Sequence, residues 1–97
     1  MASYRLTRRS RRDVLNIWRR IAEDNEPAAD RFIDLLTHHF RLLGDMPYVG
    51  RRRDEIRPGY RCFPVGEYLI FYRLMKADVY IMHVVHGRMD LRRYPFD

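Results

Sequence analysis

His83 and His86, three residues apart near the end of an apolar run, are the side chains with the most chemical promise in this sequence. With Arg61 and Arg73 on neighbouring segments they would supply a general acid, a general base and two cationic clamps for a phosphodiester, the set a ribonuclease needs. The spacing opposes that reading, because residues three apart on a regular strand point to opposite faces of the sheet. His38 and His39 are adjacent in a helical stretch, project about 100° apart, and read as surface or hairpin-packing residues. Ser3 and Ser10 sit in no nucleophile motif, and the chain contains neither a phosphate-binding glycine loop nor a His-Glu-x-x-His pair. Cys62, the single cysteine, excludes an internal disulfide and a cysteine zinc cluster, fits a reducing cytoplasm, and reads as a small buried hydrophobe. No catalytic set, metal site or cofactor cradle emerges.

These groups must be positioned by a short list of elements. Tyr60 to His86 is almost entirely β-branched, aromatic or aliphatic, and it is broken by Gly66-Glu67 and by Lys76-Ala77-Asp78. That pattern predicts a three-stranded antiparallel meander with tight connections. Pro64 lacks a backbone donor, which places the first of these strands at an edge or at the end of its pairing. Upstream, Tyr4-Arg5-Leu6-Thr7 alternates and predicts a short strand, ended by an Arg8-Arg9-Ser10 turn with Ser10 as N-cap of the next helix. Val14, Ile17, Trp18 and Ile21 share one face of a helix over 11–23. A second helix over 27–43, opened by Pro27 and ended by Gly44, carries a stripe of Ala29, Phe32, Ile33, Leu36, Phe40 and Leu43, and a second stripe of Ala28, Leu35 and Leu42. Residues 45–59, with Pro47, Gly50, Pro58 and Gly59, read as a long loop holding Arg51-Arg52-Arg53 and Arg57 beside Asp54-Glu55.

The expected fold is therefore α+β: an N-terminal strand and a two-helix hairpin packed on an antiparallel sheet with a C-terminal three-stranded meander, in one domain over 1–97. The last two strands are apolar on both alternating faces, with Leu69, Phe71, Val79, Ile81 and Val85 on one parity and Ile70, Leu74, Met82 and Val84 on the other. Strands covered on both sides read this way, yet two helices cover one face only. The mismatch points to a binding partner on the second face, or to the tail 87–97 lying along that face or an edge.

Composition fits a single small folded domain, at 46% hydrophobic and 33% charged residues. No segment approaches the roughly 20 apolar residues that span a bilayer, and the basic N-terminus lacks the apolar stretch of an export signal. The net charge is +6, and arginine supplies 18 of the 19 basic residues, Lys76 being the exception. Arginine's planar fork suits carboxylates and phosphates, so an acidic protein or a nucleic acid is the expected kind of partner; an arginine-favouring genome is the bland alternative. Aromatic stacking motifs of single-strand readers are absent.

Read in order, several short motifs form one set: Tyr4-Arg5-Leu6-Thr7; Asp13, Ile17-Trp18 and Ile21-Ala22-Glu23; Ala28-Ala29-Asp30-Arg31-Phe32-Ile33; Pro47 and Gly50-Arg51; Arg57-Pro58-Gly59-Tyr60-Arg61; Tyr68-Leu69-Ile70-Phe71-Tyr72-Arg73; and Val84-Val85-His86-Gly87-Arg88-Met89-Asp90. In order and spacing, over nearly the whole chain, this set resembles toxins of the ParE type in the RelE/ParE superfamily. The resemblance implies a cytoplasmic toxin of a bacterial type II toxin-antitoxin system that inhibits DNA gyrase without catalysis and uses no cofactor. It also implies a ParD-like antitoxin whose acidic, partly disordered tail folds on the toxin, with no membrane contact and with DNA contact only through the antitoxin or gyrase complex. The antitoxin-binding residues it implies are Leu15, Trp18, Arg61, Phe63, Tyr72 and Arg73, and it associates toxicity with the C-terminal region that includes Arg88, Arg92 and Arg93. The alternative is a RelE-like ribosome-dependent mRNA interferase. Its catalytic relatives cluster basic groups, often lysines, with a late aromatic or histidine; here Lys76 lies in a hairpin loop and Tyr94 is the only late tyrosine, so that pattern is incomplete.

Overall fold

The alternation of Tyr4-Arg5-Leu6 makes a three-residue strand, β1 (Tyr4–Leu6), in a computed structural model that describes residues 3–97. Helix α1 (Arg8–Ala22) begins immediately after it, three residues earlier than the hydrophobic period suggests. The cap is Thr7 rather than Ser10: the Thr7 hydroxyl accepts from the Ser10 amide at 3.1 Å, and Ser10 is fully buried inside the first turn. Two hydroxyl residues competed for one role, and Thr7 holds it because its own amide already donates to Ile81 of the sheet. Thr7→Ala is expected to cost about 1 kcal/mol of stability, as loss of a capping oxygen does; a denaturant midpoint unchanged from wild type would refute that assignment.

Asn25 caps the second helix, accepting from the Ala28 amide at 3.0 Å, and α2 runs Glu26–Asp45, so Gly44 lies inside it and not past its end. Its predicted stripe is the buried one, with Ala29, Leu36, Phe40 and Leu43 all within 1% of full burial. The second stripe is less covered, with Leu35 43% exposed and Ala28 and Leu42 half-buried. No helix is long and apolar enough to cross a membrane among the described residues.

The long connection after α2 contains an element with no period of its own, the two-residue strand β2 (Arg51–Arg52), which pairs antiparallel with Cys62 and Arg61 of β3 (Tyr60–Val65). The meander β3, β4 (Tyr68–Met75) and β5 (Asp78–His86) forms as expected. Pro64 lies beyond the two residues that β2 covers, so its missing donor removes no bond from that side. Strand order is β1-β5-β4-β3-β2, and β1 joins β5 in parallel, which makes the five-stranded sheet mixed and not purely antiparallel.

One irregularity decides which side chains share a face. Phe71 opposes His83 while Tyr72 opposes Ile81, leaving Met82 as an extra residue in β5. The alternation expected along this strand therefore breaks: Val79, Ile81 and Val84 lie under the helices with Ile70 and Tyr72, whereas His83 and Val85 face the other way with Phe71. Below that opposite face a second, smaller core gathers Tyr60, Cys62, Phe71, Val85 and Phe96. The segment after β5 thus supplies the cover that the helices cannot, and the second face is not left bare for a partner.

Candidate interaction surfaces

The residues implied as antitoxin contacts fall in three places. Leu15 projects from the outer side of α1 and is 46% exposed, one turn before Trp18. Trp18 is half-buried where the two helices meet, and its Nε1 donates to Asp30 Oδ1 at 2.8 Å, pinning the ring across the hairpin. Both sit on the helical side, away from the sheet's second face.

Arg61, Phe63 and Tyr72 lie on the helix-covered face of the sheet, toward the β2 edge, because Arg61 directly opposes Tyr72 and Phe63 opposes Ile70. The Arg61 guanidinium donates to the carbonyls of Gly50 at 2.8 Å and Tyr48 at 3.3 Å and stacks on the Tyr48 ring, 5.2 Å from its centroid. Tyr48 is itself 69% exposed, so the pair presents a cation and an aromatic plane to solvent. Phe63 is partly buried against the main core and meets His39 of α2 at 5.7 Å between centroids. Tyr72 offers nothing to a partner: it is completely buried, its hydroxyl accepts from the Gly50 amide at 2.8 Å and donates to the Pro47 carbonyl at 2.9 Å. Its role is to fasten the connection after α2 to the sheet, which corrects its assignment as a contact.

Arg73, one residue further, points to the opposite face, beside Tyr60 and Tyr80. A single partner segment running along one face of the sheet cannot touch both Arg61 and Arg73. Arg73 Nε is buried with no hydrogen-bond partner among the described residues.

Loop 45–59 spends much of its charge on itself. Arg52 pairs with Asp54 at 2.8 Å and Arg53 with Glu55 at 2.7 Å, hydrogen bonds that hold both carboxyls below their ordinary range. For Asp54 the Gly59 amide is the stronger cause. Arg57 donates to the Phe96 carbonyl at 2.9 Å and so helps to seat the tail.

That tail carries the residues of the implied toxicity region. Asp90 organises a turn by accepting from the Arg92 amide at 3.1 Å and pairing loosely with the Arg92 and Arg93 side chains at 3.5 and 3.7 Å. Arg88 is exposed, and the side chains of Arg92 and Arg93 are 94% and 90% exposed. Between this turn and the helical hairpin runs an open groove of about 960 Å³, lined by Ile21, Phe32, Tyr68 and Met89 with Arg20 and His86 at its sides.

The two histidines of the sheet are separated as their spacing requires. His86 packs edge-on against Tyr68 on the helix side, while His83 is fully buried among Tyr60, Tyr94 and Phe96 on the other. Burial holds the His83 imidazole below its ordinary pKa, and Cys62 is likewise buried with its thiol pushed up, so neither presents a reactive form to solvent. Among the described residues no group of three histidines, cysteines or acidic side chains is placed to hold a metal. The cluster with most polar convergence was not legible beforehand: Arg9, Asp13, His83 and Tyr94 meet between α1, β5 and the tail. The sequence pattern places Arg9 in the Arg8-Arg9-Ser10 turn. The signal that links it to Asp13 is the i,i+4 spacing on a helix that starts at Arg8.

The family model described as the ParE toxin of type II toxin-antitoxin system, parDE, matches residues 4–91. Toxin ParE3 of Caulobacter vibrioides is 34% identical over 80 residues, 81% of this chain and 80% of that protein. Toxin ParE1 of Mycobacterium tuberculosis is 36% identical over 66 residues, 67% of each chain, and Toxin RelE3 of C. vibrioides is 32% identical over 88 residues, 90% of this chain and 96% of that one. Among solved structures, a chain of the chromosomal ParDE TA system from P. aeruginosa superposes with a TM-score of 0.76, covering 89% of this chain and 96% of that one at 18% identity, which bears on the fold. On the family match and these identities, the chain belongs to the ParE toxin family of type II toxin-antitoxin systems.

Proposed function

We propose that this toxin acts in the cytoplasm by binding and inhibiting DNA gyrase, without catalytic turnover, and that a ParD-like antitoxin silences it by direct contact. Membership of the ParE family carries the reading. Its support in the molecule is a helical hairpin with Leu15 and Leu35 exposed, an exposed Arg61–Tyr48 stack at the sheet's edge, and a net charge of +6, features that suit an acidic segment with apolar anchors. His83 and Cys62, both buried, are closed to solvent as acid, base or nucleophile. The purified toxin is expected to block gyrase supercoiling or trap a gyrase–DNA cleavage complex, and its paired antitoxin to reverse this. Ribosome-dependent mRNA cleavage with gyrase untouched would overturn the reading in favour of the interferase alternative, to which the RelE3 relative gives weight.

A further inference from the structure

The segment after β5 is held by a chain of part-buried polar contacts whose tail members, Tyr94 and Asp97, lie beyond the family match, which ends at residue 91. Arg9 of α1 donates from Nη2 to the Tyr94 hydroxyl at 2.5 Å and from Nε to Asp13 at 3.3 Å. Asp13 in turn accepts from the Val84 amide at 3.0 Å, fixing this end of α1 to β5. His83 Nδ1 lies 3.3 Å from the Tyr94 hydroxyl, and His83 Nε2 lies 3.1 Å from the Asp97 amide nitrogen. An amide N–H can only donate, so Nε2 must be the bare acceptor nitrogen and Nδ1 the one that carries hydrogen. The imidazole in this arrangement is neutral. Phe96 fills the space between these bonds, 8% exposed against Phe71, Tyr60 and His83.

Protonation of His83 would set a second N–H against the Asp97 N–H, donor facing donor, on a ring that is itself fully buried. The charged and titratable groups around the ring are Arg9 and Asp13 from α1, Arg57 from the loop before β3, Tyr60 from β3, and Tyr94 and Asp97 from the tail. Asp97 Oδ2, at 3.9 Å from Nε2, favours the new proton, as Asp13 does from α1, but the Asp97 side chain is 60% exposed and screened.

We propose that Arg9, His83 and Tyr94 form a clasp that holds the C-terminal segment shut over the second face of the sheet, that it opens when His83 takes up a proton, and that the closed clasp fixes the turn bearing Arg88, Arg92 and Arg93 in the pose its target meets. The last part rests on the toxicity role proposed for that turn. Arg9, His83 and Tyr94 are positioning residues: they reach the target only through the tail. The direction of the pH effect follows from burial, which lowers the His83 pKa in the closed form ahead of any charge nearby, with Arg9 and Arg57 also lowering it and Asp97 and Asp13 raising it. The open form binds the proton more tightly, so closure is complete above the free imidazole value of about 6.5 and weakens as pH falls below it.

Amide ¹⁵N heteronuclear NOEs on the full chain, from about pH 8 to about pH 5, test the clasp. In the wild type, values for residues 91–97 should fall across that range toward those of a flexible chain while β3, β4 and β5 stay constant. His83→Gln, whose amide oxygen can still accept from Asp97, should keep the tail ordered and flatten the pH profile. A wild-type tail equally ordered throughout, or a His83→Gln profile that still follows the wild type, would overturn the clasp. Tyr94→Phe keeps the ring and loses the hydroxyl; it should loosen the tail at every pH and require roughly tenfold more toxin for the same supercoiling inhibition, since the arginines must then be ordered on binding. Antitoxin affinity should not change in this variant. A loosened tail with undiminished inhibition would overturn the positioning role while leaving the clasp in place. A wild-type chain that leaves gyrase alone would remove both the target and the positioning role, with the pH arm still deciding the clasp.

Discussion

Gly50→Ala is expected to destabilise the toxin by about 3 kcal/mol or more, as overpacking in a fixed site combined with lost buried hydrogen bonds does. For a domain of this size that is a fall in Tm of more than about 10 °C. The cause is steric, and not a matter of backbone freedom: a Cβ at position 50 would lie 2.7 Å from Tyr72 Cε1 and 2.9 Å from Cζ, and would crowd the hydroxyl still more closely. Tyr72 cannot yield, because it is wholly buried in the main core beneath the helices. Any shift that relieved the contact would also break the pair of bonds its hydroxyl makes to the Gly50 amide and the Pro47 carbonyl. Tyr72→Phe, which removes only the hydroxyl, leaves those two groups without their partner and should cost about 1–2 kcal/mol. The shared origin is checked by a double-mutant cycle: in a Tyr72→Leu background the ring is gone, so Gly50→Ala should cost far less than it does alone. Additive effects in chemical denaturation would show that Gly50 and Tyr72 do not meet as described.

The same pair marks the boundary of what could be read from the sequence. The three strands of the meander and the helical hairpin were legible because each carries its period over many residues, and the stripe from Ala29 to Leu43 is buried as its spacing requires. What escaped was set by contacts remote in sequence. The two residues of β2 have no period to detect and are a strand only because Cys62 and Arg61 lie beside them. The extra residue at Met82 leaves no local mark, yet it moves Val84 under the helices and His83 beneath the tail, opposite to a regular alternation. Apolar character on both faces of β4 and β5 was a correct sign of double cover. Its cause is intramolecular: Phe96 and Tyr94, spaced without a helical or strand period, fill the second face. Of the implied contact residues, Leu15 was legible as an exposed side chain from its place off the apolar stripe, whereas the burial of Tyr72 depends on which face a strand of aromatics turns to the helices.

Arg61→Glu is expected to weaken antitoxin binding by more than about 2 kcal/mol, roughly a 30-fold rise in Kd, if the acidic antitoxin segment lies along the β2 edge of the helix-covered face. Arg61 is well prepared for such a contact. Its guanidinium is held by the Gly50 and Tyr48 carbonyls and by the Tyr48 ring, so little side-chain entropy remains to be lost when a carboxylate arrives. Arg73 cannot share that segment, since it emerges on the opposite face beside Tyr60. Adding Arg73→Gln to the Arg61 variant should therefore shift affinity by no more than about 0.5 kcal/mol, and not double the loss. A carboxylate at position 61 would face the carbonyls that now accept from the arginine, so loosening of residues 46–50 is an accompanying effect. Arg61→Gln separates the two, because it retains a donor for those carbonyls while removing the charge. If charge pairing governs binding, Arg61→Gln should also weaken it, and the wild-type affinity should fall with added salt more steeply than that of the variant. Calorimetric titration decides the matter: a Kd for Arg61→Glu within about twofold of wild type would remove Arg61 from the antitoxin contact, whereas a loss that appears only together with Arg73→Gln would move the acidic segment to the tail side of the sheet.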